Sequence, residues 1–420
     1  MAAGVLAAGL ALSLTGCGQN GGGSDGGDVT ITYTFWGNDD RAAATQEAIE
    51  IFEKDNPGIK VNMTFSAFDA YQQKLATQIA GKSAPDVFML EMSYVRDFYE
   101  RGVLSDYADP EFAGIDTSNI PESLLNTGVI DGNLIGIPSG RASQALYVDS
   151  ATWESYGATL PEDGWTWSDL EEAAAKIESG SGGSQVAMAD FGWNEKWFDM
   201  WLHQNGKSQY DDQGKVNFTE QDLVDFWEFV ADLRDKGVLT DPEITSASVD
   251  EAMQNSPLVK KNSLSEFNHT SLSEAYVSAF GSVLAVAPPT NDPGNYGLLT
   301  VASQHYAVPV TSKHKEEAAK FIDFMINNEE AGPVLGLVRG LPPSDKVLDL
   351  ISSDFSDSEK MIYEYQTRVA DTEVPMPLPP AGHAATKKDM IRIYQNVIFG
   401  QVTIEEGAAE LYGIYEGNNK

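Results

Sequence analysis

The stretch Val29–Phe65, VTITYTFWGNDDRAAATQEAIEIFEKDNPGIKVNMTF, decides the fold class. VTITYTF alternates apolar residues with threonine and is β-branched, the signature of a strand. Asn38, Asp39 and Asp40 then offer N-caps for a helix over roughly 41–54. Ala44, Ala48, Ile51 and Phe52 supply its apolar face, and Glu50 and Lys54 form an i,i+4 pair. Asn56-Pro57-Gly58 stops the helix, and IKVNMTF (59–65) is a second strand.

Working outward, Tyr71, Leu75 and Ile79 share one face of a second helix ended by Gly81, and DVFML (86–90) is a third strand. The order β-α-β-α-β opens an open parallel α/β sheet. Such sheets bind ligands at the carboxyl ends of their strands. Here those ends carry Trp36, Gly37, Asn38 and Asp39, then Ser66 and Phe68, then Glu91, Met92 and Tyr94. No GxGxxG opens a helix after these strands and no GxxxxGK[ST] occurs, so this edge is not a phosphate cradle. Further on, 134–139 and 145–149 read as extended around Gly140-Arg141. Helices are expected from Ser168 (a capping box with Glu171), over 226–233 and 315–326, and from Thr403 (a capping box with Glu406). No internal repeat is present, and the second half alternates helical and extended segments, as a second α/β lobe would.

Composition narrows the function. A hydrophobic fraction of 42% can fill large cores. Asp and Glu number 63 against 27 Lys and Arg, a formal net charge of −36, which argues against nucleic acid as a partner and for a soluble monomer. One cysteine excludes an internal disulfide and Cys-rich metal sites. The five histidines lack metal-ligand spacing, and neither HExxH nor a DxDxDG calcium loop occurs, so no metal and no cofactor is expected. Residues 1–14 are almost wholly Ala, Gly, Leu and Val, too short to span a bilayer but fit for the apolar core of a secretion signal. No basic residue precedes them, which points to a start upstream of Met1. Leu14-Thr15-Gly16-Cys17 resembles the bacterial lipobox, with Cys17 as the lipidated residue and the Gly-rich run to Asp28 as a tether.

The ordered set FWGNDDRAAATQEAIEIFEKDNPGIKV, YQQKLATQIAGKSAPDVFML, LIGIPSGRASQALYVD, WTWSDLEEAAAKI, HYAVPVTSKHKEEAAKFIDFM and GLVRGLPPS resembles the family 1 extracellular solute-binding proteins of carbohydrate-uptake ABC transporters. The resemblance implies a two-lobed, periplasmic-binding-protein-like fold of type II: two α/β lobes, each an open, mostly parallel sheet flanked by helices, joined by hinge strands. By similarity the segments are a signal peptide (1–16), the lipidated tether (17–28), a first lobe (29–139 with 288–338) and a second lobe (140–287 with 339–420). It also implies an oligosaccharide ligand in the cleft, a membrane permease with separate ATPase subunits as partner, and lipid anchoring at the extracellular face of the cell membrane.

A sugar is polar at its rim and apolar on its C–H faces, so its site needs aromatic plates and fixed hydrogen-bonding groups. The residues placed to supply them are Trp36, Asn38, Asp39, Arg41, Phe68, Glu91, Tyr94, Arg141, Gln144, Trp193, Glu266 and His269. Each has a plainer alternative. Trp36 packs in the core; Asn38 or Asp39 only caps a helix; Arg141 makes an ion pair between lobes. Trp193, Trp197 and Trp201, spaced i, i+4, i+8, form a core stripe. If Arg41 and Arg141 both face the cleft, a uronate-bearing sugar fits; if not, a neutral one does. Two rival functions stand beside capture of a sugar. One is a secreted glycoside hydrolase, which needs a particular pair of carboxylates. The other is a receptor for a non-sugar solute.

Overall fold

The computed structural model describes residues 28–417 apart from 212, 250–252, 282 and 381. The expected leader and Cys17 lie outside the described residues. The decisive stretch forms β1 (Val29–Trp36), α1 (Asp39–Asp55) and β2 (Ile59–Ser66); α2 (Phe68–Ala80), β3 (Val87–Leu90) and α3 (Met92–Glu100) follow. Asn38 is the N-cap of α1, its side chain accepting from the Arg41 amide. The buried face of α1 is Ala42, Thr45, Ala48, Ile49 and Phe52. It is therefore rotated from the Ala44–Ile51 face read from the sequence, because Thr45 turns inward to meet a buried arginine.

In the first sheet β2 and β3 flank β1 in parallel. His305–Ala307 is inserted antiparallel between β3 and Ile137–Pro138. The second sheet repeats this plan. Gln144–Val148 runs antiparallel to both Leu284–Val286 and Ser265–His269. Parallel bridges then carry the sheet on through Val186–Ser263 and Met188–Leu239. Each sheet is thus mostly parallel with one reversed strand inside it.

Both faces of each sheet are covered, so consecutive residues enter different cores. Val87 and Met89 join Tyr33, Phe35, Phe52 and Phe321, while Phe88 and Leu90 join Tyr71, Leu75 and Phe98. Likewise Leu146 and Val148 meet Trp153, Trp197, Trp227 and Tyr394, while Ala145 and Tyr147 meet Tyr276, Leu298 and Tyr365. The last two helices, His383–Ile398 and Ile404–Gly417, supply Met390, Ile393, Tyr394, Leu411 and Tyr415 to the second lobe's main core. There the Arg234 guanidinium and the Tyr394 hydroxyl both donate to the Asp190 carboxylate.

Between the lobes lies a small sheet in the order Val374–Pro375, Leu299–Ala302, Arg141–Ala142. Arg141 also pairs with Leu341, so separate passages of the chain meet at one point. Gly340 (φ +83°) permits this approach, since a Cβ there would stand 2.3 Å from the Arg141 carbonyl oxygen. Beyond the return expected at 288, the Thr290 amide donates to the Trp165 carbonyl, and Tyr296 and Leu298 pack with Tyr147 and Tyr365. The helix Asp345–Ile351 packs instead against the first lobe, where Val347 meets Gly332. The capping box before 167–181 is Thr166 with Asp169, two residues ahead of the Ser168 expectation; the one at Thr403 and Glu406 sits where the sequence puts it.

Candidate functional site

The carboxyl ends of β1, β2 and β3 lie along one edge of the first sheet, and Glu91 with Met92 and Ser93 forms part of a cleft wall there. Glu91 caps α3, one carboxylate oxygen accepting from the Ser93 amide at 2.9 Å. The opposite wall comes from the second lobe. The helix Glu195–Gln204 contributes Glu195, Lys196 and Asp199, the following loop Gln209 and Tyr210, and the strand end His269. Gln144, Leu299 and Val301 from the crossing strands form the floor, and His383 closes one side.

This cleft contains two unsatisfied polar atoms. Gln144 is 1% exposed; its Oε1 accepts from the Leu299 amide at 3.3 Å, but its Nε2 has no partner. Glu195 is 5% exposed, and its Oε2 is also without a partner. Buried polar groups are nearly always hydrogen-bonded, so a donor and an acceptor left open in one cleft point to a ligand with both functions. A hydroxyl has both.

The electrostatics are tightly arranged. Burial, helped by the Glu195 charge, raises the Asp199 carboxyl to about 7, although Asp199 accepts from the Gln209 amide at 2.8 Å. Burial lowers the His383 pKa, and its Nδ1 lies 2.8 Å from the Tyr210 hydroxyl. His269 Nε2 accepts from the Lys196 ammonium at 3.0 Å. Among the described residues no group of three or more His, Cys, Asp or Glu is arranged to hold a metal.

Of the twelve residues expected from the sequence, Glu91, Gln144 and His269 line the cleft. Trp36 and Phe68 stand at the same sheet edge, their rings 5.3 Å apart in an edge-to-face pair, with Phe68 38% exposed. They form a shelf beside the cleft rather than its wall. Tyr94 is half-buried on α3 against Phe98. Asn38 is a cap and Asp39 an exposed first-turn residue.

The remaining four are occupied elsewhere. Arg41 donates from Nε to the Val338 carbonyl at 2.8 Å and from Nη1 to the Trp36 carbonyl at 2.9 Å. Arg141 donates to the Pro342 and Pro343 carbonyls and pairs with Asp345. Trp193 precedes the helix and its N-cap, is 7% exposed, and donates its indole N–H to the Asp190 carbonyl inside the core. Glu266 alternates with His269 along one strand and so takes the other face, beside Ser256 and near Tyr276. Sequence reasoning missed Glu195 and Asp199. Their signal is two acids at i, i+4 on a helix otherwise rich in tryptophan and phenylalanine.

Comparisons with known proteins agree with the two-lobed α/β fold. A family model described as bacterial extracellular solute-binding protein matches residues 36–332. An extracellular solute-binding protein family 1 structure from Alicyclobacillus acidocaldarius is 30% identical, with a TM-score of 0.74, over 93% of this chain and 98% of that one. A periplasmic oligogalacturonide-binding protein from Yersinia enterocolitica, in complex with saturated digalacturonic acid, shares the fold at 21% identity and a TM-score of 0.77, covering 93% and 98% of the two chains. An ABC substrate-binding protein from Listeria monocytogenes, in complex with cycloalternan, does so at 22% identity and 0.77, over the same shares.

Proposed function

The chain belongs to the bacterial extracellular solute-binding protein family, and from that premise we propose that it captures a neutral oligosaccharide between its lobes and hands it unchanged to the permease of an ABC transporter. The observation that carries this reading is the pair of buried, open atoms, Gln144 Nε2 and Glu195 Oε2, in a cleft whose walls come from both lobes. A hydroxyl accepting from the first and donating to the second satisfies both, and a sugar presents several hydroxyls at once. Glu91 on the opposite wall adds a carboxylate, and the Trp36–Phe68 shelf offers apolar ring faces to a longer sugar.

Neutral rather than uronate-bearing sugar follows from the two arginines. Arg41 and Arg141 spend their forks on backbone carbonyls and Asp345, leaving Lys196 as the ammonium in a cleft whose two walls carry Glu91 on one side and Glu195 and Asp199 on the other. A sugar carboxylate would meet like charge there. The first lobe is 29–139 with about 299–351, and the second about 140–298 with 352–417; the short strand at 374 rejoins the hinge. Ligand contacts to both walls favour closure over a pre-existing open form. The monomer is held at the extracellular face of the membrane by an acylated Cys17.

Calorimetric titration with a panel of neutral and uronic oligosaccharides, with scattering in parallel, tests the reading. The expected result is saturable binding of a neutral member with compaction and no new reducing ends. Absence of binding across the neutral members, or accumulation of cleaved product, overturns it; cleavage would make Asp199 and Glu195 the acid and base to examine.

A further inference from the structure

Away from the cleft, where the Val338–Leu341 crossing meets the first lobe, Arg339 is 5% exposed. One guanidinium nitrogen, Nη2, donates to the Thr45 hydroxyl at 2.7 Å and reaches the Tyr33 hydroxyl at 3.4 Å. The group lies 5.4 Å from the centre of the Phe35 ring. Its Nε and Nη1 have no partner. In a chain with 63 acidic residues, no carboxylate among the described residues pairs with this guanidinium. A second guanidinium, Arg41, is close enough to feel it: burial first, then the Arg339 charge, lowers the Arg41 pKa to about 10.

A buried cation without an anion, with a second, half-buried guanidinium beside it, is an unstable arrangement, because a charge removed from water needs a counter-charge or a full set of hydrogen bonds. Arg339 lines a small cavity with Ser139, Tyr306, Met325, Leu335, Pro342 and Val347. Ser139 is buried and its hydroxyl also lacks a partner. No acidic residue lines this cavity. We propose that Arg339 and Ser139 form a binding site for a small monovalent inorganic anion, of chloride size, which ties the 338–341 crossing to the first lobe. The mostly apolar lining offers too few donors for phosphate or sulfate, whereas a weakly hydrated halide is satisfied by a guanidinium edge and one hydroxyl. The cavity shares no lining residue with the cleft, so the site is independent of the sugar reading.

The test compares thermal unfolding of the purified protein in sodium chloride and in sodium gluconate at matched ionic strength, together with crystals soaked in sodium bromide. The expected result is an unfolding midpoint that rises by roughly 3 °C across a thirty-fold excess of chloride over its dissociation constant, and not in gluconate. An anomalous bromide peak should stand within contact distance of Arg339 Nε or Nη1. Ser139→Ala, which leaves the guanidinium in place, should weaken the chloride dependence several-fold, and Arg339→Gln should abolish it. Equal midpoints in the two salts, or an ordered water in place of bromide, overturn the proposal; both readouts come from the unaltered protein, whether or not Arg339→Gln folds.

Discussion

Asp199→Asn should stabilise the protein at alkaline pH while leaving it little changed in acid. Asp199 is buried on the second-lobe wall, where burial and then the Glu195 charge lift its pKa from 3.8 to about 7. Between those values the folded chain holds a proton that the unfolded chain has released. Stability therefore falls as pH rises through that window and stays low above it. A rise of about three pH units corresponds to about 4 kcal/mol, of which roughly 2–3 kcal/mol develops between about pH 5 and pH 8. Asparagine does not titrate, and its Oδ1 still accepts from the Gln209 amide, now 2.8 Å away. Urea unfolding of both proteins at about pH 5, 6.5 and 8 measures the effect. Glu373, raised to about 7 by burial, and His305, lowered to about 4 by burial, also titrate with folding, but they cancel in the difference between the two proteins. Parallel pH profiles for wild type and variant would refute the reasoning, since they would mean that Asp199 is ionised at no cost.

Gln144→Leu should weaken binding of the neutral oligosaccharide by on the order of ten-fold, because the ligand hydroxyl loses its buried donor; unchanged affinity by calorimetry would remove Gln144 from the site. Gly340→Ala should cost about 2 kcal/mol or more in urea unfolding, since it combines a positive φ with a Cβ pressed on the Arg141 carbonyl. A loss below about 0.5 kcal/mol would show that the crossing relaxes freely. Tyr394→Phe should cost about 1–3 kcal/mol by leaving Asp190 and Arg234 short of one buried partner, with sugar affinity retained. Loss of binding at full stability would instead tie this cluster to the cleft.

The first lobe was legible because its periodicities are clean: period two in 29–35 and 59–65, helical spacing between them, and stop signals at Asn56-Pro57-Gly58. Gly140-Arg141 was also readable as a crossing. The packing of 288–296 was not legible, because that segment has the composition of a linker. Gln204 and Trp165 nevertheless hold that segment to the second lobe through its backbone. In the cleft, Glu91 was visible as the polar residue after the third strand, where an α/β sheet presents its ligands, Gln144 only through its nearness to Arg141, and His269 as part of a polar cluster with Glu266. Arg41 and Arg141 were over-read because nothing local signals that carbonyls nearly 300 and about 200 residues away will take their forks. Glu195 and Asp199 were hidden by a background of 63 acids, against which two more carry no information until their burial is known.

The second lobe's main core is finished by Leu411 and Tyr415, almost the last described residues, although its first strand begins at Gln144. A ribosome must therefore deliver the polypeptide as far as Tyr415 before that lobe can seal. Until then every residue of the binding wall exists, yet the hydrophobic interior behind it gapes, so a nonsense codon between His383 and Leu411 would spare the recognition chemistry and still discard the protein.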